Sequence, residues 1–187
     1  HTISRRQRQM CIRDRPKSQL VISQHLHINY DIKKTNLGII SGPCHAEEVA
    51  LEKLSYLTIG VKRKLLGNYI SDKLKSKYIK TSVSTDLIGI EYSATLKNIY
   101  SILVGISHGL GYGDNFLSVL ISHCAKELKL FIRRIHRTKR DINHSAYIGD
   151  LLVTTYSTYS RNRTFGNMIG KGYSVESAMS EMSMVVE

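Results

Sequence analysis

A formal net charge of +12 on 187 residues, 42% of them apolar, describes a basic chain long enough for one good domain or two small ones. Its three cysteines (Cys11, Cys44 and Cys124) are odd in number, far apart and in no metal-ligand spacing, so free thiols in a reducing compartment are expected. No apolar run reaches the roughly 20 residues of a membrane span, and the polar start has no signal core, so membrane insertion is not expected and a cytoplasmic protein is.

The charge is unevenly placed. Residues 1–15 carry Arg5, Arg6, Arg8, Arg13 and Arg15 against Asp14, which accounts for +4. They have no helical or strand period, and their composition differs from that of the rest of the chain. They read as an adapter-derived or disordered segment outside the fold, the alternative being a basic arm. Two further clusters are Lys62-Arg63-Lys64, and Arg133-Arg134 with Arg137, Lys139 and Arg140. A nucleic-acid surface asks for joined patches interleaved with stacking aromatics. These short clusters near helix ends read instead as a solvated face, with no nucleic-acid partner.

From Pro16 regular patterns begin. Leu20, Val21, Leu26 and Ile28 suit a short helix ending near Asn29. Residues 37–40 are a short β-rich run, followed by the turn Ser41-Gly42-Pro43. Residues 45–54 are helical in pattern, with acids in the first turn. Residues 55–61 alternate as a strand, 64–77 suit an amphipathic helix, and 78–82 another strand. This alternation predicts a parallel α/β sheet.

Near 82–85 the pattern turns all-α. A helix opens at Ser84-Thr85-Asp86, whose side chains can cap a first turn, and closes at Gly109-Leu110-Gly111. It is apolar on nearly every side, which predicts burial. A second helix over 114–133 places Leu117, Leu120, Ile121, Cys124, Leu128 and Phe131 on one broad face. A basic loop covers about 134–144, and helices are expected at 145–156, 161–170 and 175–186. The fold class is therefore α/β over 16–83, followed by all-α over 84–187.

Few residues stand out chemically. Lys97 lies in the middle of the apolar helix, where an ammonium group loses water and is costly to keep; chemistry is one reason to keep it. Glycines 109, 111 and 113 follow a helix in the spacing G-x-G-x-G, which is a helix connection rather than a dinucleotide fingerprint. Ser160-Arg161-Asn162 stands at a helix start, where open amides and a guanidinium suit a phosphate, although by itself an arginine at a helix end is usually just a surface residue. Asp150 sits in the run Ile148-Gly149-Asp150-Leu151-Leu152 and needs a partner, either a helix end or a buried lysine such as Lys97. The eight histidines form no metal spacing.

Taken together, five ordered segments resemble the bacterial NAD(P)-dependent glycerol-3-phosphate dehydrogenase family. They are Ser41-Gly42-Pro43-Cys44-His45-Ala46-Glu47-Glu48-Val49-Ala50, Ile88 through Asn98, Gly105 through Asn115, Gly149-Asp150-Leu151, and Ser160 through Gly166. The resemblance implies a Rossmann-type cofactor domain, of which 16–83 is the C-terminal part, and a helical substrate domain over 84–187. It implies reduction of dihydroxyacetone phosphate to sn-glycerol 3-phosphate with NAD or NADP as cofactor, for glycerophospholipid synthesis. It is compatible with a homodimer. By resemblance Lys97 is the catalytic lysine, and Gly42, Cys44, Lys97, Asp150, Thr154, Ser160, Arg161 and Asn162 contact substrate. Ala46 and Arg161 contact the cofactor, and no metal is implied. Position 44 is usually Ser or Thr in that family's motif, and Cys44 is a weaker hydrogen-bonding group.

The glycine-rich fingerprint that the family carries is not found in this sequence. An internal fragment, inactive alone, is therefore expected. The alternatives are a basic helical nucleic-acid-binding protein, an inactive relative that only assembles with partners, and another dehydrogenase of the same two-domain architecture.

Overall fold

The computed structural model describes residues 14–15 and 20–182. These divide into two compact units. One runs as far as Thr95 and resumes over Ile132–Asp150; the other holds Leu96–Phe131 and the residues from Leu151 on. The expectation of a foreign segment at 1–15 falls outside the described residues, apart from Asp14 and Arg15.

In the first unit β1 (Asp14–Arg15) pairs antiparallel with β2 (Leu20–Val21), and α1 (Ile22–Tyr30) comes directly after. The expected helix thus begins two residues late, because Leu20 and Val21 are extended. Helix α1 starts against a carboxylate supplied from elsewhere. The buried Glu91 accepts from the Ser23 amide at 2.8 Å and from the Ser23 hydroxyl. A carboxylate at a helix start meets both the open amides and the positive end of the dipole.

Strands β3 (Gly38–Ser41), β4 (Ser55–Val61) and β5 (Ile79–Ser84) form a sheet in the order β3-β4-β5. β4 and β5 are parallel, with Ser55 opposite Ile79. β3 and β4 are antiparallel, with Gly38 opposite Val61. The sheet is mixed, so the expectation of a parallel sheet is corrected. The cause is the helix between β3 and β4. Expected over 45–54, α2 is only Ala46–Ala50, ended by the Leu51 turn and by Glu52 at φ 55. Residues 42–54 are long enough for a parallel crossover, but such a crossover usually runs through a full helix packed on the sheet, and the five residues of α2 do not make one.

Helix α3 (Lys64–Leu74) makes the β4-to-β5 crossover. Gly67 lets it lie close, since a Cβ there would meet Val83 at 2.5 Å and Val61 at 2.6 Å. The unit's buried apolar residues include Ile59, Val61, Leu87, Ile90 and Ala94.

Helix α4 (Leu87–Gly109) contributes residues to both units, and so does α5 (Asp114–Ile135). α4 ends where Gly111 takes φ +90, and the Tyr112 amide reaches back to the Ser107 carbonyl at 3.2 Å. Burial of α4 is less complete than its composition predicts: Ile99 is 56% and Leu103 42% exposed. On α5 the buried face is Leu117, Ile121, Cys124, Leu128 and Ile132; Phe131 lies off it and is exposed.

Residues 145–156, expected as one helix, are a π-helical turn at Ser145–Gly149 followed by α6 (Asp150–Tyr156). Helices α7 (Arg161–Gly170) and α8 (Val175–Glu181) come next, capped by the hydroxyls of Ser160 and Ser174. The expected extension of the last helix beyond 182 lies outside the described residues. In the second unit α4 and α7 cross through glycine. A Cβ on Gly105 would strike the Arg163 carbonyl, and one on Gly166 the Ile102 carbonyl; Gly109 and Gly170 repeat the arrangement one turn on. No described helix is long and apolar enough to cross a membrane.

Candidate functional site

The expected site residues fall into two groups, one in each unit. In the second unit are Lys97, Thr154, Ser160, Arg161 and Asn162. Lys97 lies on α4 and is half-buried rather than buried. Ser160 caps α7, its hydroxyl accepting from the Arg163 amide at 3.3 Å. Arg161 opens the helix and Asn162 is next, 5% exposed. The Ser160 cap takes the third amide of the helix. Arg161 and Asn162 open the helix, where the positive end of its dipole and a guanidinium's fixed charge favour an anion. That arrangement suits a phosphate group.

Thr154 is buried on α6. Its carbonyl accepts from the Ser101 hydroxyl at 2.8 Å, and the same hydroxyl lies 2.9 Å from Ser160 Oγ. Ser101 was not among the expected site residues. The available signal was a serine one turn beyond Lys97 in an apolar run, since a buried hydroxyl requires partners.

In the first unit are Gly42, Cys44, Ala46 and Asp150. Gly42 follows β3 with φ +134, and a Cβ there would lie 2.5 Å from the Tyr56 carbonyl oxygen. Only glycine accommodates both the torsion and the approach. The Tyr56 amide donates to the Pro43 carbonyl at 3.1 Å, which fastens the turn to β4. Burial pushes the half-buried Cys44 thiol up, against a hydrogen bond with Ser55. Ala46 is the first residue of α2. Asp150 is 1% exposed at the junction of the π-turn and α6, and accepts from the Ser41 hydroxyl at 3.0 Å. Ser41, the last residue of β3, thus ties the sheet to an acid 109 positions later.

The π-turn is anchored on three sides. Ser145 Oγ lies 3.3 Å from Thr58 Oγ1 on β4. The Ala146 carbonyl accepts from Ser93 at 3.3 Å. The Tyr147 hydroxyl donates to Asp86 Oδ2 at 2.6 Å. Asp86, expected only as a helix cap, is the centre of this arrangement. It accepts from the Gly89 amide and from Arg140, and it faces His136 Nδ1 at 3.2 Å. Burial alone would raise its carboxyl; the Arg140 and Tyr147 hydrogen bonds outweigh that, and the group lies below its ordinary value. Arg140 is therefore not part of a solvated face, its side chain being 7% exposed, whereas Arg133, Arg134, Arg137 and Lys139 are exposed. A cavity of about 200 Å³ opens beside this cluster, lined by Ser84, Asp86, His136, Lys139, Arg140 and Tyr147 among others. None of the expected site residues lines it. Among the described residues no group of His, Cys, Asp and Glu is arranged to hold a metal.

Comparison with known proteins gives a consistent result. The profile described as NAD-dependent glycerol-3-phosphate dehydrogenase C-terminus matches residues 86–187. Glycerol-3-phosphate dehydrogenase (NAD(P)+) of Staphylococcus aureus is 37% identical over 151 residues, which is 81% of this chain and 46% of that protein. The same-named protein of Macrococcus caseolyticus is 37% identical over 155 residues, 83% of this chain and 47% of the other. The crystal structure of glycerol-3-phosphate dehydrogenase from Coxiella burnetii matches with a TM-score of 0.76 at 28% identity, over 80% of this chain and 46% of that one. The chain spans about half the length of the curated relatives it matches.

Proposed function

The chain belongs to the NAD-dependent glycerol-3-phosphate dehydrogenase family, and on that premise we propose that the whole enzyme containing it reversibly reduces dihydroxyacetone phosphate to sn-glycerol 3-phosphate with NAD(P)H. The observation that carries this reading is the family match over 86–187. That stretch holds Lys97, Asp150, Thr154, Ser160, Arg161 and Asn162 together. On this reading residues 16–83 end the cofactor-binding domain and 84–187 belong to the helical substrate domain. The product feeds glycerophospholipid synthesis in the cytoplasm.

When bound, the nicotinamide cofactor supplies the hydride. The residues present fit such a group: Arg161 brings a fixed positive charge that suits an anionic cofactor, and Ala46 offers a helix start with only a methyl in the way. The chain's own residues do the rest. Lys97 stabilises the oxygen of the reacting carbonyl as it gains negative charge, and delivers the proton. Arg161 and Asn162 hold the phosphate and so position the carbonyl from a distance. Gly42, Cys44, Asp150, Thr154 and Ser160 complete the substrate contacts. Lys97→Ala in the whole enzyme tests the assignment. Turnover of dihydroxyacetone phosphate should fall about a thousandfold, and an undiminished rate would remove Lys97 from the chemistry.

A further inference from the structure

The hydroxyls of Ser101 and Ser160 form a buried pair whose protons can be assigned from their partners. A serine hydroxyl has one proton and two lone pairs, and a carbonyl oxygen can only accept. Ser101 Oγ lies 2.8 Å from the Thr154 carbonyl, so its proton is directed there. That carbonyl belongs to the last turn of α6, where carbonyls run out of intrahelical donors, and Ser101 is 0% exposed, so water does not compete. The 2.9 Å contact between Ser101 and Ser160 then runs one way: Ser160 donates and Ser101 accepts. Ser160 also accepts from the Arg163 amide at 3.3 Å. Its proton is committed and one lone pair is filled, which leaves one lone pair.

We propose that Ser101 is a positioning residue that turns the Ser160 hydroxyl into a pure acceptor, so that Ser160 reads a hydroxyl group of the substrate and gives nothing to its phosphate. This rests on the proposed glycerol-phosphate site and adds a division of labour to it. The phosphate is held at the start of α7 by Arg161. The polyol end is recognised at Ser160, an acceptor already desolvated at 4% exposure. A ligand with a donor hydroxyl gains from that lone pair, and a bare oxyanion is repelled by it. Replacing Ser101 by alanine removes the acceptor for the Ser160 proton and one donor to the Thr154 carbonyl.

The test is calorimetric binding to the whole enzyme, using sn-glycerol 3-phosphate and inorganic sulfate, a dianion with no proton to give at neutral pH. Ser160→Ala should weaken sn-glycerol 3-phosphate about tenfold and leave sulfate within twofold. Ser101→Ala should weaken sn-glycerol 3-phosphate several-fold and tighten sulfate, because Ser160 regains a proton to donate. In the Ser160→Ala background, Ser101→Ala should change neither ligand further. Equal weakening of both ligands by Ser160→Ala overturns the proposal, and so do additive effects of the two substitutions. If Ser101→Ala lowers the unfolding temperature and moves neither affinity, the residue is structural only. A wild-type enzyme that binds sulfate but not sn-glycerol 3-phosphate sinks the parent reading instead, and this inference with it.

Discussion

Arg140 closes on Asp86 with two nitrogens, Nε 2.6 Å from Oδ2 and Nη2 3.0 Å from Oδ1. The two side chains are only 7% and 11% exposed. The pair joins the start of α4 to the basic loop that sequence alone reads as solvated. Tyr147 and His136 complete the ring of donors. A pair this enclosed is costly to break from one side, because the remaining charge stays buried without its counter-charge.

Asp86→Asn should therefore lower unfolding free energy by about 3 kcal/mol. The effect should depend on pH with a defined sign. The folded carboxyl lies below its ordinary value, so its contribution is complete above that value and is lost as pH falls through the lower, folded one. Thermal unfolding followed by circular dichroism between pH 7 and pH 3 should show wild type losing more of its midpoint than Asp86→Asn. Parallel pH curves for the two proteins would contradict this.

Tyr100 gives the opposite kind of prediction. Its ring is 4% exposed and its hydroxyl has no hydrogen-bond partner. Burial is the main cause raising its ionisation above the ordinary tyrosine range, with Glu127 adding to it. Tyr100→Phe removes an unsatisfied polar atom and should stabilise by about 1 kcal/mol. In wild type the neutral hydroxyl's contribution is intact below the ordinary tyrosine value and is lost as pH rises through the folded one. Urea midpoints for the two proteins at pH 7 are the check, and a variant less stable than wild type would contradict the account.

The glycine crossing of α4 and α7 should tolerate no side chain. Gly166→Ala puts a methyl against the Ile102 carbonyl, and neither helix backbone can yield cheaply. Overpacking of this kind costs about 3 kcal/mol. Gly113→Ala, where a Cβ meets nothing within 4 Å, is the internal control and should move the urea midpoint little.

The thiols make a chemical prediction. Burial raises both Cys44 and Cys124, so neither is a ready thiolate at neutral pH. Alkylation by iodoacetamide at pH 7.5, mapped by mass spectrometry, should be slower at both than in the urea-unfolded chain. Faster labelling of Cys44 in the folded protein would mean that the thiolate is stabilised there.

Much of this fold was legible because periodicity is local. The strand at 55–61 and the helix at 161–170 have the bounds their patterns predict. What was not legible depends on partners distant in sequence. The direction of β3 turned on where α2 stops, and no residue between 50 and 54 is a strong helix breaker. The π-turn at Ser145–Gly149 is held by Thr58, Ser93 and Asp86, between 53 and 87 positions upstream. Arg140 looked like its exposed neighbours because nothing adjacent in sequence announces Asp86. The chemical candidates were readable one residue at a time, whereas the Ser101 relay needs three backbone segments brought together.

The sheet order carries one last consequence. Among the described residues β3 and β5 each pair on one side only, with β4 between them. Each outer strand so presents a row of unclaimed amides and carbonyls, and Ile40 on β3 is 45% exposed. Such edges are templates for another chain's backbone. A second backbone added to this sheet would therefore lie along β3 or β5, the two strands with an open side.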